Sequence, residues 1–344
     1  MSRSTWLTRG TVAIAVAMAG MLVGFGCSSS GSLPDDLPTV DLDDGAVGGP
    51  IYYVEVRARP NYLLHRIDPA SGTTAPLFEV PERGAISSVA ASPTGDRLAL
   101  AYTDEFGVPG NGLYLLDVTA GGDGGGEVVG ESALTLLAPE LDAEFYDDLA
   151  YSPDGSTVWA SVGKNDESRL IAVDVDSGRP GTVIENAVAP APGPGWLAYL
   201  PVEADGSRVS VAVLDEDSGE TTVYSVLDGT YDLGHLLADV GRGRLWFTAL
   251  IPNGQPMISF GEPAGAHGAH DGPSQWLSLD LETGQVSGLA ETEPSNVRDS
   301  ALWADGLLLE SNPDGLILPF GGQEPVLTSR VITEIASTPG VLEP

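Results

Sequence analysis

From residue 50 onward, short apolar runs alternate with clusters of Gly, Pro, Ser and Asp. Leu98 to Tyr102, Val158 to Val162, Leu197 to Leu200 and Leu245 to Leu250 form one set of runs. Gly112 to Asp117, Leu170 to Asp174, Val209 to Leu214 and Trp276 to Leu281 form a second. All are rich in Val, Leu, Tyr or Trp and bounded by turn residues, which predicts strands. No stretch beyond the first 26 residues carries a helical period.

Two turn phrases punctuate the runs. The first ends in Gly after a Pro or small residue: Ala91-Ser92-Pro93-Thr94-Gly95 and Tyr151-Ser152-Pro153-Asp154-Gly155, with looser copies ending at Gly195, Gly243, Gly306 and Gly340. The second is Asp-x-x-Ser/Thr-Gly, at Asp68–Gly72, Asp174–Gly178, Asp215–Gly219 and Asp280–Gly284, with a weaker copy at Asp117–Gly121. Pro presets φ, Gly supplies positive φ, and the Asp side chain can bond backbone amides two residues on. Each repeat reads as strands A to D, with the first phrase between A and B and the second between C and D.

Six copies of the first phrase over residues 50–344 give about 49 residues per repeat, the size of a propeller unit. The chain enters on a B-type run, Ile51 to Val56, and leaves on an A-type run, Val331 to Ser337. The expected fold is all-β: a six-bladed β-propeller of four-stranded blades, its ring closed by the C-terminal strand joining the N-terminal blade, which removes an open edge. Blade 1 takes 331–344 with 51–82, blade 2 takes 83–141, and blade 3 takes 142–185. Blades 4, 5 and 6 take 186–229, 230–292 and 293–330.

The Ser-Pro-Asp-Gly turn, an alternating strand and an Asp-x-x-Ser-Gly turn resemble the TolB-type and WD-like propeller repeats of bacterial envelopes. Residues 88–100, Ser-Val-Ala-Ala-Ser-Pro-Thr-Gly-Asp-Arg-Leu-Ala-Leu, are the nearest copy. The resemblance covers 50–344 and implies fold. TolB proteins carry an α/β domain ahead of the propeller, where this chain has only a leash, so their partners do not carry over.

Residues 1–26 have Arg3 and Arg9 followed by an uncharged run from Val12 to Phe25, then Gly26 and Cys27. This resembles a bacterial lipoprotein signal peptide cut before a lipidated Cys27, with Gly24 where that family usually has Leu. Ser28 after the Cys resembles the outer-membrane sorting pattern of two-membrane envelopes. The expectation is an exported protein, lipid-anchored to the outer membrane or cell surface in such a host. Cys27 is the sole cysteine, so no internal disulfide forms. Residues 27–49, rich in Ser, Gly, Pro and Asp, read as a flexible acidic linker.

The chain has 49 acidic and 15 basic residues, net −34; without Arg3 and Arg9 the remainder is 49 against 13, net −36. Such a surface repels nucleic acid and anionic lipid heads, which leaves the lipid anchor as the route to a membrane.

In a propeller, D–A and B–C loops open on one face around the channel. The binding-face candidates there are Asp147, Asp148, Glu185, Asn186, Asp232, His235, Asn296, Asp299 and Glu334. Six-bladed lactonase-type hydrolases hold a central Ca²⁺ with carboxylate and amide oxygens, and hard cations favour such ligands. Glu144, Asp148, Asn186 and Asp299 match that ligand type only, and the preferred reading is solvated loop acids in a chain dense with acids. His267, His270 and Asp271, in the Gly- and Pro-rich insertion 251–274, could ligate a transition metal but lack a third spaced ligand and a supporting shell. That insertion reads as a mobile loop over the binding face, plausible as a lid. Asp174 to Glu185 mimics an EF-hand loop with its Gly one position early, and turn chemistry explains it better. No Gly-x-Ser-x-Gly, phosphate loop or dinucleotide fingerprint occurs. The five tryptophans beyond the signal read as core or inter-blade packing, with sugar stacking the lesser reading.

The reading is a non-catalytic propeller presenting a binding face for an envelope protein, peptide or glycan, with no cofactor expected. The alternative is a Ca-dependent hydrolase or lactonase-like enzyme acting in the channel.

Overall fold

The computed structural model describes residues 39–40, 49–56, 62–68, 73–80, 84–104, 111–118, 133–139, 145–164, 167–226, 232–250, 274–289, 299–303, 307–312, 315–317, 327–328 and 332–337. Chain contacts divide the protein into Met1–Ser30 and Gly31–Pro344, and all described residues lie in the second unit. No α-helix occurs among them.

The strands run β1 (Thr39–Val40), β2 (Ile51–Val56), β3 (Tyr62–Asp68), β4 (Thr73–Glu79), β5 (Gly84–Ala91), β6 (Arg97–Asp104), β7 (Gly112–Asp117) and β8 (Leu134–Pro139). Next come β9 (Phe145–Tyr151), β10 (Thr157–Lys164), β11 (Glu167–Asp174), β12 (Pro180–Glu185), β13 (Ala187–Gly193), β14 (Trp196–Pro201), β15 (Ser210–Asp215) and β16 (Thr221–Ser225). The remainder are β17 (Asp232–Asp239), β18 (Arg244–Leu250), β19 (Ser274–Asp280), β20 (Val286–Leu289), β21 (Asp299–Trp303), β22 (Leu307–Asn312), β23 (Gly315–Ile317), β24 (Leu327–Thr328) and β25 (Ile332–Ser337).

Consecutive strands pair antiparallel, so the architecture is a β-propeller of four-stranded blades. Five sheets have four strands: β25-β2-β3-β4, β5 to β8, β9 to β12, β13 to β16 and β21 to β24. The remaining sheet has five, because β1 adds to β17-β18-β19-β20 in parallel on the outside of β20. This corrects the expectation of six four-stranded blades. A Thr-Val pair suits an extended strand, and β20 offers it an edge. β25 pairs with β2, with Ile51 opposite Ser337 and Tyr53 opposite Ile335. The first strands of successive sheets touch in the order β25, β5, β9, β13, β17, β21, and β21 touches β25.

The core lies between sheets. Along β6, Leu98, Leu100 and Tyr102 pack towards Tyr52, Leu64 and Phe78 of the β25-β2-β3-β4 sheet. The alternate residues Ala99 and Ala101 pack towards Tyr146, Val158 and Ala160 of the next sheet. Period-two alternation thus assigns large side chains to one interface and small ones to the other. Further on, Leu200 and Val211 meet Leu233, Leu245 and Phe247. Each fully buried Leu or Phe contributes roughly 1.5–3 kcal/mol.

Where they are described, the turn phrases form as anticipated, with one difference; the copies at 68–72 and 117–121 and those ending at Gly306 and Gly340 lie wholly or partly outside the described residues. Asp174 accepts hydrogen bonds from the Ser177 amide (2.7 Å) and hydroxyl (2.6 Å), so its side chain bonds three residues on, not two. Asp280 binds Thr283 in the same way at 2.8 and 2.7 Å. Gly178 and Gly284 sit at φ +66° and +70°, and each amide donates to the carbonyl of the phrase's own Asp. In the first phrase, Ser92 and Ser152 accept from the amides of Arg97 and Thr157, and Gly95 and Gly155 again take positive φ.

Candidate functional site

Propeller function concentrates where the inner strands and the loops joining them surround the ring axis. The inner strands here do not pair evenly. β5, β9, β13, β17 and β25 each shift register against their neighbour, which marks a bulge. Three of those bulges place a residue with a side chain at positive φ: Asp148 (41°), Ala189 (53°) and His235 (49°). The left-handed region is uncommon for such residues, and three corresponding instances show a repeated device.

The bulges disrupt the ladder, and neighbouring serines take up the backbone groups. The Ser161 hydroxyl donates to Asp148 Oδ2 (3.1 Å) and accepts from the Ala189 amide (3.1 Å), linking one sheet to the bulge of the next. The Ser88 hydroxyl accepts from the Leu149 amide (3.0 Å), one interface earlier. Ser87 donates across the same interface to the Tyr146 carbonyl (3.1 Å). Ser88 and Ser161 are each 4% exposed. The Tyr146 hydroxyl adds a further bond across the first of these interfaces, donating to the Pro139 carbonyl (3.0 Å).

The candidate residues separate into groups. Asp147 is buried in β9 beside Asp148. Asp232 opens β17 and is held by Arg208, whose backbone amide, Nε and Nη2 donate at 3.0, 3.1 and 2.8 Å. Asp299 accepts from the Ser300 amide (2.7 Å). Glu185 ends β12 opposite Arg169, so it belongs to an outer strand and not to a loop. Asn186 alone links β12 to β13, at φ +53°; its amide donates to the Ser168 carbonyl and its carbonyl accepts from the Val202 amide, both at 2.8 Å. His235 is half-buried at its bulge. Glu334 pairs through its backbone with Val54. Glu144, Asn296, His267, His270 and Asp271 lie outside the described residues.

Among the described residues, no three His, Cys, Asp or Glu side chains come together to hold a metal ion. His65 is packed in β3, stacked on Tyr53 at 4.7 Å, with Nε2 2.7 Å from Glu55 Oε2. Trp159, Trp246 and Trp276 are buried, which removes them from sugar stacking. Trp196 covers Gly193, where a Cβ would run into the indole ring.

Sequence reasoning missed the bulges, the serines that serve them and the Arg208–Asp232 pair. The serines stand inside apolar runs, as Ser161 does between Ala160 and Val162, and such a polar interruption is the available signal.

No family model matches the chain, and no curated protein matches its sequence. Solved structures do resemble it in shape. TolB from Acinetobacter baumannii aligns over 86% of this chain and 68% of its own, with 15% identity and a TM-score of 0.57. A chain of a nidogen/laminin complex aligns over 84% and 97%, with 13% identity and a TM-score of 0.51. A TolB-like protein from Agrobacterium tumefaciens aligns over 77% and 92%, with 15% identity and a TM-score of 0.45. At such identities the likeness is one of fold.

Proposed function

We propose that this protein is an exported, lipid-anchored, non-catalytic propeller whose loop-bearing face binds an envelope protein, peptide or glycan. The observation that carries this reading is the engagement of the candidate acids within the protein's own framework. Asp148 is bonded by Ser161, Asp232 by Arg208, and Asp299 by the Ser300 amide. Groups so bonded stiffen the scaffold that carries the loops. The cyclic order of inner-strand contacts and the β25–β2 pairing support a closed ring of six blades. Such a ring gathers its D–A and B–C loops on one side.

The test has three arms. Cys27→Ser is expected to move the protein from the membrane to the soluble fraction; unchanged retention refutes the anchor. Thermal melts with calcium or with chelator are expected to coincide, since a ligand bound only by the native state raises Tm. A strong calcium-dependent shift favours the metal-dependent hydrolase. Co-purification of the anchored protein, repeated with Asn186→Arg, is expected to yield one partner that the variant loses.

A further inference from the structure

Strand register identifies equivalent residues from blade to blade at the inner end of each seam between sheets. Between the β13–β16 and β17–β20 sheets, Val188 and Leu200 stand opposite one another just before the β13 bulge. Leu233 packs with them in one apolar core, and Leu200 and Leu233 are fully buried. One seam on, Gly234 and Thr248 stand opposite one another just before the β17 bulge, in the places of Val188 and Leu200. The residue across from them in the β21–β24 sheet follows from the hairpins. β10 turns into β11 at the Lys164–Glu167 pair, and β22 into β23 at the Asn312–Gly315 pair. Two residues before those turns, Val162 pairs with Tyr146 and Glu310 pairs with Ser300. Tyr146 precedes Asp147, which pairs with Ser161 before its own bulge as Gly234 pairs with Thr248. Tyr146, Leu233 and Ser300 are therefore equivalent, and each looks back at the preceding sheet.

Where one seam has Leu, Val and Leu, the next thus has Thr248, Gly234 and Ser300. It loses side-chain volume and gains two hydroxyls. Thr248 is 1% exposed and Ser300 8%. Neither hydroxyl has a hydrogen-bond partner among the described residues. Thr248 occupies the place of Ser161, which bonds its own bulge and the Ala189 amide of the next. β21 pairs evenly with β22 over Asp299–Trp303, so no bulge there turns an amide back towards Thr248. The Ser300 amide is taken by its neighbour Asp299. The Tyr151 hydroxyl is also buried without a partner, but at the turn end of β9 and in another seam.

We propose that Thr248 Oγ1 and Ser300 Oγ flank a binding site for one internal water molecule, which bridges β17–β20 to β21–β24 where another seam uses a direct bond. Leaving a buried hydroxyl unbonded is costly. A buried water needs room and roughly two to four polar partners. The exchange of Val for Gly and Leu for Ser supplies the room. Each hydroxyl offers one donor and two acceptors, so the water can donate to one and accept from the other. The site is separate from the loop-bearing face and does not depend on it.

A crystal structure of the full chain is expected to show one ordered water within about 3.2 Å of both hydroxyl oxygens. A seam closed without it, or the two hydroxyls bonded directly to each other, overturns the site. Urea unfolding of a double-mutant cycle reads the same bridge in solution. Thr248→Val keeps the shape and is expected to lower the folding equilibrium constant at least about fivefold, because the water loses a partner. Ser300→Ala is expected to do likewise, and the double variant to lose at most about twofold more than either single one. No loss in Thr248→Val, or two losses that simply multiply, overturns the bridge. None of these outcomes bears on the loop-bearing face or the anchor, so failure here is distinct from failure of the proposed function.

Discussion

Ser161 shows how much a single hydroxyl carries in this fold. It holds the Asp148 carboxylate and the Ala189 amide at once, across two sheets, at a site almost closed to water. Removing it strands a buried donor, so Ser161→Ala is expected to lower stability by about 1–3 kcal/mol, measured by urea unfolding; an unchanged midpoint contradicts that role. The turn aspartates act differently because they are exposed. Thr283 holds the Asp280 carboxyl below the usual carboxylate range through its hydroxyl and its amide. Ser152 and Ser156 do the same for Asp154. A carboxylate lowered in the native state adds stability above the unfolded value of about 3.9 and loses it as pH falls through the native value. Asp280→Ala is therefore expected to lower Tm at pH 7 and to flatten the fall of Tm below about pH 4. Asp280→Asn keeps the acceptor and should cost less. Melts across pH distinguish the three proteins.

At the scale of a strand, the decisive property is that both faces are buried. β6 presents Leu98, Leu100 and Tyr102 to one neighbour and Ala99 and Ala101 to the other. Opposite substitutions at adjacent positions should therefore both fail. Leu100→Ala leaves a cavity worth about 2–5 kcal/mol. Ala99→Leu overfills the opposite interface and costs about 1–3 kcal/mol. Denaturant unfolding checks both, and tolerance of Ala99→Leu would show that this interface is looser than the packing implies. The turn phrases that separate such strands were legible because Asp, Ser/Thr and Gly each have a fixed task in the turn. Their internal bonding was less so, since the reach of Asp174 to Ser177 follows from the folded loop and not from composition.

For the molecule as a whole, charge is the dominant long-range quantity. With a net charge of −36 beyond the first 26 residues, self-repulsion opposes the compact state. Salt screens it over about 10 Å at 0.1 M and about 3 Å at 1 M. Raising sodium chloride across that range is expected to increase Tm by several degrees, and a flat response would mean that local pairs such as Arg208–Asp232 already offset the repulsion.

The order of strands, their antiparallel pairing and the places where the chain turns follow from the sequence alone. Each depends on residues close together in the chain: an apolar run, a Pro, an Asp four positions before a Gly. The pairing of Ile51–Val56 with the last strand was readable for the same reason, since each end carried a recognisable part of one repeat. What the tertiary structure decided involves neighbours far apart in sequence. Ser161 meets Ala189, Arg208 meets Asp232, and Thr39–Val40 meets Gly288 and Leu289 only after the sheets are assembled. The bulges belong to that group as well. An inner strand shifts register because it must satisfy the strand beside it and the sheet behind it together, and no local pattern encodes both demands.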